Sequence, residues 1–277
     1  MKMEELFKHT FKSLRQQIEA QRAEGCRWWQ QRMGTASDFC RAMVANGYLT
    51  DSQVQQAAQR YRLGVSRDGA VIFWQIDDCG LLRDGKIMHY RPDCHRDHDR
   101  KPTWATYLMR KSGRLPEYWN ADHCLFGLHL LTTTDFTDDT DDLTTNCTNY
   151  TNLAAQPENN PLNPFNLWSN KTIAVVEAEK TAVIMSAIRP EYLWLATGGK
   201  TELSVARLSP LQGRRIILFP DTDTTGQTYR DWYAIAEAAA SVFGHPVTVS
   251  SILEQRATAA QRAAKIDIAD LLFPNQQ

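Results

Sequence analysis

The chain has 277 residues, 43% of them hydrophobic and 23% charged, the proportions of an ordinary folded protein with room for one large core or two modest ones. Its 31 Lys and Arg against 32 Asp and Glu give a net charge of −1, which excludes a protein that coats nucleic acid by charge alone. No run approaches the roughly eighteen apolar residues of a membrane span, and residues 1–10 are charged rather than signal-like, which points to a cytoplasmic protein without membrane partners.

That average hides a split, because residues 1–131 carry 20 basic against 15 acidic side chains and residues 132–277 carry 11 against 17. A basic front half faces an acidic back half. Six cysteines (Cys26, Cys40, Cys79, Cys94, Cys124, Cys147) include no C-x-x-C pair, so reduced structural thiols are expected.

Residues 1–45 read as helical from the spacing of Leu, Phe and Trp and the lack of Pro, and 51–62 as a second or third helix ended by Gly64. The period then turns strand-like in 70–76 and 85–90 around a polar turn at Gly80, which predicts a hairpin inside a mixed α/β lobe. Residues 60–114 are net basic, and Arg60, Arg62, Lys86, Arg100, Lys101, Arg110 and Lys111 are candidates for nucleic-acid binding. Half of such charges are solvated surface. With Trp74, Tyr90, Trp104 and Tyr107 interleaved, the functional reading is a groove that tracks a single strand by phosphate contacts and base stacking, although most strand aromatics belong to the core. His89, Cys94, His95 and His98 lack a zinc-finger spacing and read as a solvated polar loop. His123 and His129 flank an apolar Leu-Phe pair and read as satisfied packing residues.

A stretch rich in Thr, Asp and Asn follows, with too little apolar surface to offset ordering, and is expected to be a flexible acidic linker. Beyond it, short β-branched runs at 173–176, 193–196, 216–219 and 247–252 alternate with helices at 180–188, 201–207 and 227–243. This implies a small parallel sheet with right-handed crossovers. The fold class is α/β: a helical N-terminal region (1–62), a mixed α/β lobe (63–131), the linker (132–168) and a small parallel sheet flanked by helices (169–277).

Three carboxylate positions follow the apolar runs of this last part. Glu177 comes straight after 173–176, Asp221 and Asp223 one residue after 216–219, and Asp267 and Asp270 close the set. An acid at the carboxyl edge of a buried parallel sheet is costly unless it binds something, and a hard cation such as Mg²⁺ fits clustered carboxylates. Asp221-Thr-Asp223 alone reads equally well as a helix N-cap; with Glu177 and Asp267 in register it reads as a ligand set. Gly198-Gly-Lys-Thr201 invites a P-loop reading, but that motif needs glycine at the position of Trp194. Gly198, Gly199 and Lys200 are better read as a glycine turn that lets backbone approach a phosphate.

Val175-Val-Glu-Ala-Glu-Lys180, Phe219-Pro-Asp-Thr-Asp-Thr-Thr-Gly226 and Lys265-Ile-Asp-Ile-Ala-Asp270 together resemble the Toprim domain of bacterial primases, topoisomerases and some nucleases. Upstream, 69–77, the Gly80 turn, 85–88 and Cys124-Leu-Phe-Gly-Leu-His129 are similar to the primase core that precedes its Toprim domain. The resemblance implies Mg²⁺ (or Mn²⁺) held by Asp221 and Asp223, with Glu177 as a further ligand or acid/base group and Asp267 and Asp270 as a secondary acidic site. It implies nucleotidyl transfer from nucleoside triphosphates on single-stranded DNA, in a stand-alone core of mobile-element or phage type, with a helicase or other replication protein as a candidate partner. A Toprim-type nuclease and a catalytically inactive module that binds nucleic acid or a replication protein are the alternatives. Glu177-Ala178-Glu179-Lys180 departs from the common Glu-Gly-x-x-Asp, placing a Lys where an acid is frequent, and Lys180 is then a candidate phosphate contact.

Overall fold

The computed structural model describes residues 3–131 and 171–273, with side chains from residue 12 onward; the linker expected over 132–168 lies outside the described residues. A helix of 30 residues, α1 (Met3–Arg32), precedes α2 (Asp38–Ala45) and α3 (Asp51–Arg60). The helical region expected over 1–45 thus holds two helices, and α3 is the third. Met33 leaves the helix to bridge Gly64, and the Ser37 hydroxyl caps α2 by accepting the Cys40 amide at 3.2 Å. Thr50 and Gln53 form a reciprocal capping box at the start of α3.

The first sheet is antiparallel, in the order β1 (Gly64–Val65), β2 (Val71–Ile76), β3 (Leu82–Met88), β4 (Thr103–Trp104), and leads into α4 (Ala105–Lys111). Every residue of β2 is buried, because both faces are covered. Phe73 meets Phe39 and Phe126 on one side, while Ile72 and Trp74 pack with Leu82, Trp28 and Trp119 on the other. β3 starts three residues before the predicted strand. Its Arg83-Asp-Gly segment looks like a turn, yet long-range bonds satisfy it: Arg83 donates to Asp77 at 2.8 Å, and buried Asp84 accepts the Thr106 amide and hydroxyl at 3.0 and 2.5 Å.

The second sheet is wholly parallel, in the order β6-β5-β7-β8, from β5 (Thr172–Val176), β6 (Tyr192–Ala196), β7 (Ile216–Phe219) and β8 (Val247–Val249). The helices α5 (Glu179–Ile188), α6 (Val205–Leu208) and α7 (Gln227–Phe243) make the connections, and α8 (Ile252–Arg256), α9 (Ala259–Ala264) and α10 (Ile268–Leu272) follow. The fold class is the one expected: α/β, with a helical N-terminal region, a mixed lobe and a parallel sheet flanked by helices. The strand predicted over 247–252 stops at Val249, and the helix predicted over 201–207 starts only at Val205, where Ser204 caps it. No helix among the described residues is long and apolar enough to cross a membrane.

The β6 edge of the second sheet is joined to the segment that follows α4. Phe126 and Ala196 exchange backbone hydrogen bonds of 2.8 and 3.1 Å, and one hydrophobic cluster runs from Phe39 and Phe73 to Val176 and Ala182. Tyr61 sits at the seam, fully buried and stacked on Phe126, with its hydroxyl donating to the Trp194 carbonyl at 2.8 Å. Burial pushes its phenol well above the ordinary range, so it stays a neutral donor. Tyr61→Phe is expected to lower the unfolding free energy by about 1 kcal/mol and Tyr61→Ala by about 3–5 kcal/mol, read by urea denaturation. Equal stability of all three proteins would remove Tyr61 from the seam.

Candidate functional site

The chain runs from β5 to β6 on one side and then places β7 on the other side of β5, so the strand order reverses between β5 and β7. Crevices at such switch points, beyond the carboxyl ends of the strands, are where open parallel sheets bind ligands. Val176 of β5 lies in register with Phe219 of β7. Glu177 and Asp221 leave these strand ends, and both are half-buried.

Four of the five predicted acids, Glu177, Asp221, Asp267 and Asp270, act on one another electrostatically, and the five split by occupation. Among the described residues, the Glu177 and Asp221 carboxylates take part in no hydrogen bond or ion pair. Burial, then the charges of Asp267, Glu177 and Asp270, push the Asp221 carboxyl well above the usual range. Glu177 is likewise raised by burial, against the opposing charges of Lys200 and Lys86.

Asp223 is engaged by the protein. Its carboxylate accepts the amides of Thr225, Gln227 and Thr228 at 2.7, 3.1 and 2.6 Å and the Thr225 hydroxyl at 2.6 Å, closing the turn into α7. Burial acts to raise its carboxyl, but these bonds outweigh it and hold the group far below the ordinary value. Asp267 and Asp270 form the capping box of α10, and Asp267 also accepts the Thr181 hydroxyl. Counted from Glu177, the last position of Glu-Gly-x-x-Asp is Thr181 and not Lys180. The acid of that pattern is thus replaced by a hydroxyl bonded to the acid of the last motif.

Lys180 is held 3.8 Å from Asp270, with a side chain only 14% exposed. Burial alone would lower its pKa, but Asp267 and Asp270 overcome that and keep it charged. Lys86 is also sequestered: its Nζ lies 2.6 Å from the Gly198 carbonyl and 3.1 Å from Glu179. The cations near Glu177 that remain exposed are Lys200 and Lys265. Sequence reasoning missed Lys265; its place directly before the Ile-Asp-Ile-Ala-Asp motif was the available signal. Thr222 ties the two acidic segments together, since its amide donates to the Ile266 carbonyl at 3.0 Å.

Gly198 and Gly199 form the turn after β6. Gly198 has φ of 88°, and its amide donates to the Glu177 carbonyl at 2.9 Å. A Cβ there would lie 3.1 Å from a Glu179 carboxylate oxygen. Gly198→Ala is expected to cost about 1–2 kcal/mol through the left-handed backbone alone, visible as a lower thermal midpoint; an unchanged midpoint would contradict this.

The predicted nucleic-acid residues differ in how they are engaged. Arg60 donates to the Ser186 carbonyl at 3.0 Å across the seam, and Arg62 lies over the Trp29 ring at 4.4 Å. Arg100 pairs with Asp68 at 3.1 Å and contacts His89. Lys101, Arg110 and Lys111 are exposed, beside the exposed Tyr107 and Leu108 of α4. Trp74 and Tyr90 are core. His123, expected to be a satisfied packing residue, meets Asp84 at 3.2 Å and stacks on Trp104 at 3.9 Å.

Among the described residues, the group of three His, Cys, Asp or Glu with ligand atoms mutually within 4.8 Å is Asp77, Asp78 and Cys79, outside the predicted set. Asp77 there is committed to the turn, accepting the Cys79 and Leu81 amides at 2.9 and 2.8 Å and pairing with Arg83.

A family model described as "Domain of unknown function (DUF6371)" matches residues 37–139 and 164–222, more than half of the chain. No curated protein matches. The crystal structure of the primase fragment of the bacteriophage T7 primase-helicase protein is similar over 80% of this chain and 67% of that one, at 15% identity and a TM-score of 0.41, a level that carries no inference about activity.

Proposed function

We propose that this chain, which belongs to the DUF6371 family, holds a divalent cation between Glu177 and Asp221 and performs Toprim-type nucleotidyl transfer from nucleoside triphosphates on single-stranded DNA. The observation that carries the reading is the pair of unengaged carboxylates at the ends of adjacent parallel strands, at the point where the strand order reverses.

The donor set fits Mg²⁺ or Mn²⁺. These ions take hard oxygen ligands, keep several waters and need only one or two carboxylates besides substrate phosphates. Glu177 and Asp221 supply two, and a cation would offset the burial and the neighbouring acidic charges that raise Asp221. Held by Glu177 and Asp221, such an ion would supply positive charge to stabilise the charge that develops on a substrate phosphate.

The chain's own residues do the rest. Asp223 fixes the turn that carries Asp221, since its bonds pin the first turn of α7. Asp267, through Thr181, and Lys180, through Asp270, tie α5 to α10 behind Glu177. Lys200 and Lys265, exposed and acting on Glu177, would meet the phosphates of a nucleotide. Lys101, Arg110 and Lys111, with Tyr107, offer phosphate and stacking contacts to a single strand.

The test is to incubate the protein with single-stranded DNA, labelled nucleoside triphosphates and Mg²⁺ or Mn²⁺, beside Asp221→Asn. Oligonucleotides made by the parent and absent from the variant support transfer. Cleavage of the DNA without nucleotides would favour a nuclease, and neither product nor cleavage would favour a binding module.

A further inference from the structure

We propose that Lys86 is a positioning residue for the cation site: from the first sheet it clasps the glycine turn that holds Glu177, and it does not contact nucleic acid. The inference rests on the reading of Glu177 and Asp221 given above.

Lys86 lies on β3 and Glu179 opens α5, 93 residues further along the chain. Their side chains are only 13% and 2% exposed. An ammonium has three donors and no acceptor. Lys86 donates to the Gly198 carbonyl at 2.6 Å and to Glu179 Oε2 at 3.1 Å, and its Nζ also lies 3.1 Å from Glu179 Oε1. Glu179 Oε1 accepts no hydrogen bond, so the Lys86 charge is what answers it. A phosphate could reach Lys86 only by displacing a buried carboxylate from a buried ammonium, and uncompensated buried charge is strongly destabilising.

What the clasp holds is informative. Gly198 can occupy its left-handed conformation because it lacks a Cβ, and its amide donates to the Glu177 carbonyl at 2.9 Å. The Thr197 hydroxyl reaches that same carbonyl at 3.3 Å. Glu177 is therefore fixed from one side by a turn that Lys86 grips. From the other side it is fixed by Glu179, two residues later, which Lys86 also grips. Groups that orient a ligand without touching the ion change metal affinity about 10- to 100-fold when removed.

The experiment compares parent, K86M, E179Q and K86M/E179Q by calorimetric titration with Mn²⁺, by thermal unfolding and by single-stranded DNA binding. K86M leaves Glu179 buried and unanswered, so its midpoint should fall; K86M/E179Q removes both charges and should regain stability. The clasp predicts that Mn²⁺ affinity drops about 10- to 100-fold in K86M and stays low in the double variant. If K86M does not fold, the double variant carries the test. Mn²⁺ affinity that recovers with stability, or loss of DNA binding at unchanged Mn²⁺ affinity, would overturn the proposal. A parent protein with no Mn²⁺ site sensitive to Asp221→Asn would instead overturn the underlying reading, and the clasp's role with it.

Discussion

Asp221→Asn is expected to make the metal-free protein more stable while abolishing its cation site. The Asp221 carboxyl is raised by burial and by the charges of Asp267, Glu177 and Asp270, with Lys180 as the opposing charge. A carboxyl raised on folding contributes stability that is fully present below its unfolded pKa and is lost as pH rises through the folded one. Above its unfolded pKa the native state therefore carries the cost of holding an acid, buried and beside other acids, and Asn removes that cost. A gain of about 1–2 kcal/mol is of the size such substitutions yield, and each kcal/mol shifts the midpoint by about 2–4 °C in a chain of this length. The parent should also stabilise on mild acidification below neutrality, an effect weakened in the variant. With saturating Mn²⁺ the order should invert, because only the parent gains from binding. A variant that is less stable without metal, or equally stabilised by metal, would contradict the account.

Asp223→Ala should do the opposite. Its carboxylate is the acceptor for three backbone amides and one hydroxyl at the head of the 17-residue α7. Loss of an N-terminal capping acid costs about 0.5–2 kcal/mol, and charge-assisted hydrogen bonds contribute about 1.5–3 kcal/mol, so a loss of about 2–3 kcal/mol is expected by urea unfolding. A carboxyl depressed on folding contributes stability that is present above its unfolded pKa, about 4, and is lost as pH falls towards the folded value. The gap between parent and variant should thus be full at neutral pH and shrink in acid. A gap that grows in acid would be the wrong sign. Cation affinity should fall far less than in Asp221→Asn, which separates a residue that shapes the loop from one that ligates.

These two acids show where the sequence stops being legible. The runs at 173–176, 193–196 and 216–219 announce a parallel sheet because buried strands must be apolar on both faces, and the acids that follow two of them mark its carboxyl edge. Asp-x-Asp does not say which acid serves which end, since one side chain can cap a helix or ligate an ion, and the choice depends on where the next amides point. Lys86 and Lys180 look like free basic residues in the chain, but their partners are Glu179 and Asp270, 93 and 90 positions away. The partners of His123, Asp84 and Trp104 on neighbouring strands, were hidden in the same way. The break after α1 was local and legible in principle, from Gly34 and the Ser37 cap.

The most direct measurement is an anomalous difference map from crystals of the protein soaked with Mn²⁺. A peak between the carboxylates of Glu177 and Asp221, absent from crystals of Asp221→Asn, is the predicted result; a peak at Asp77, Asp78 and Cys79 instead, or none at the switch point, would contradict the assignment.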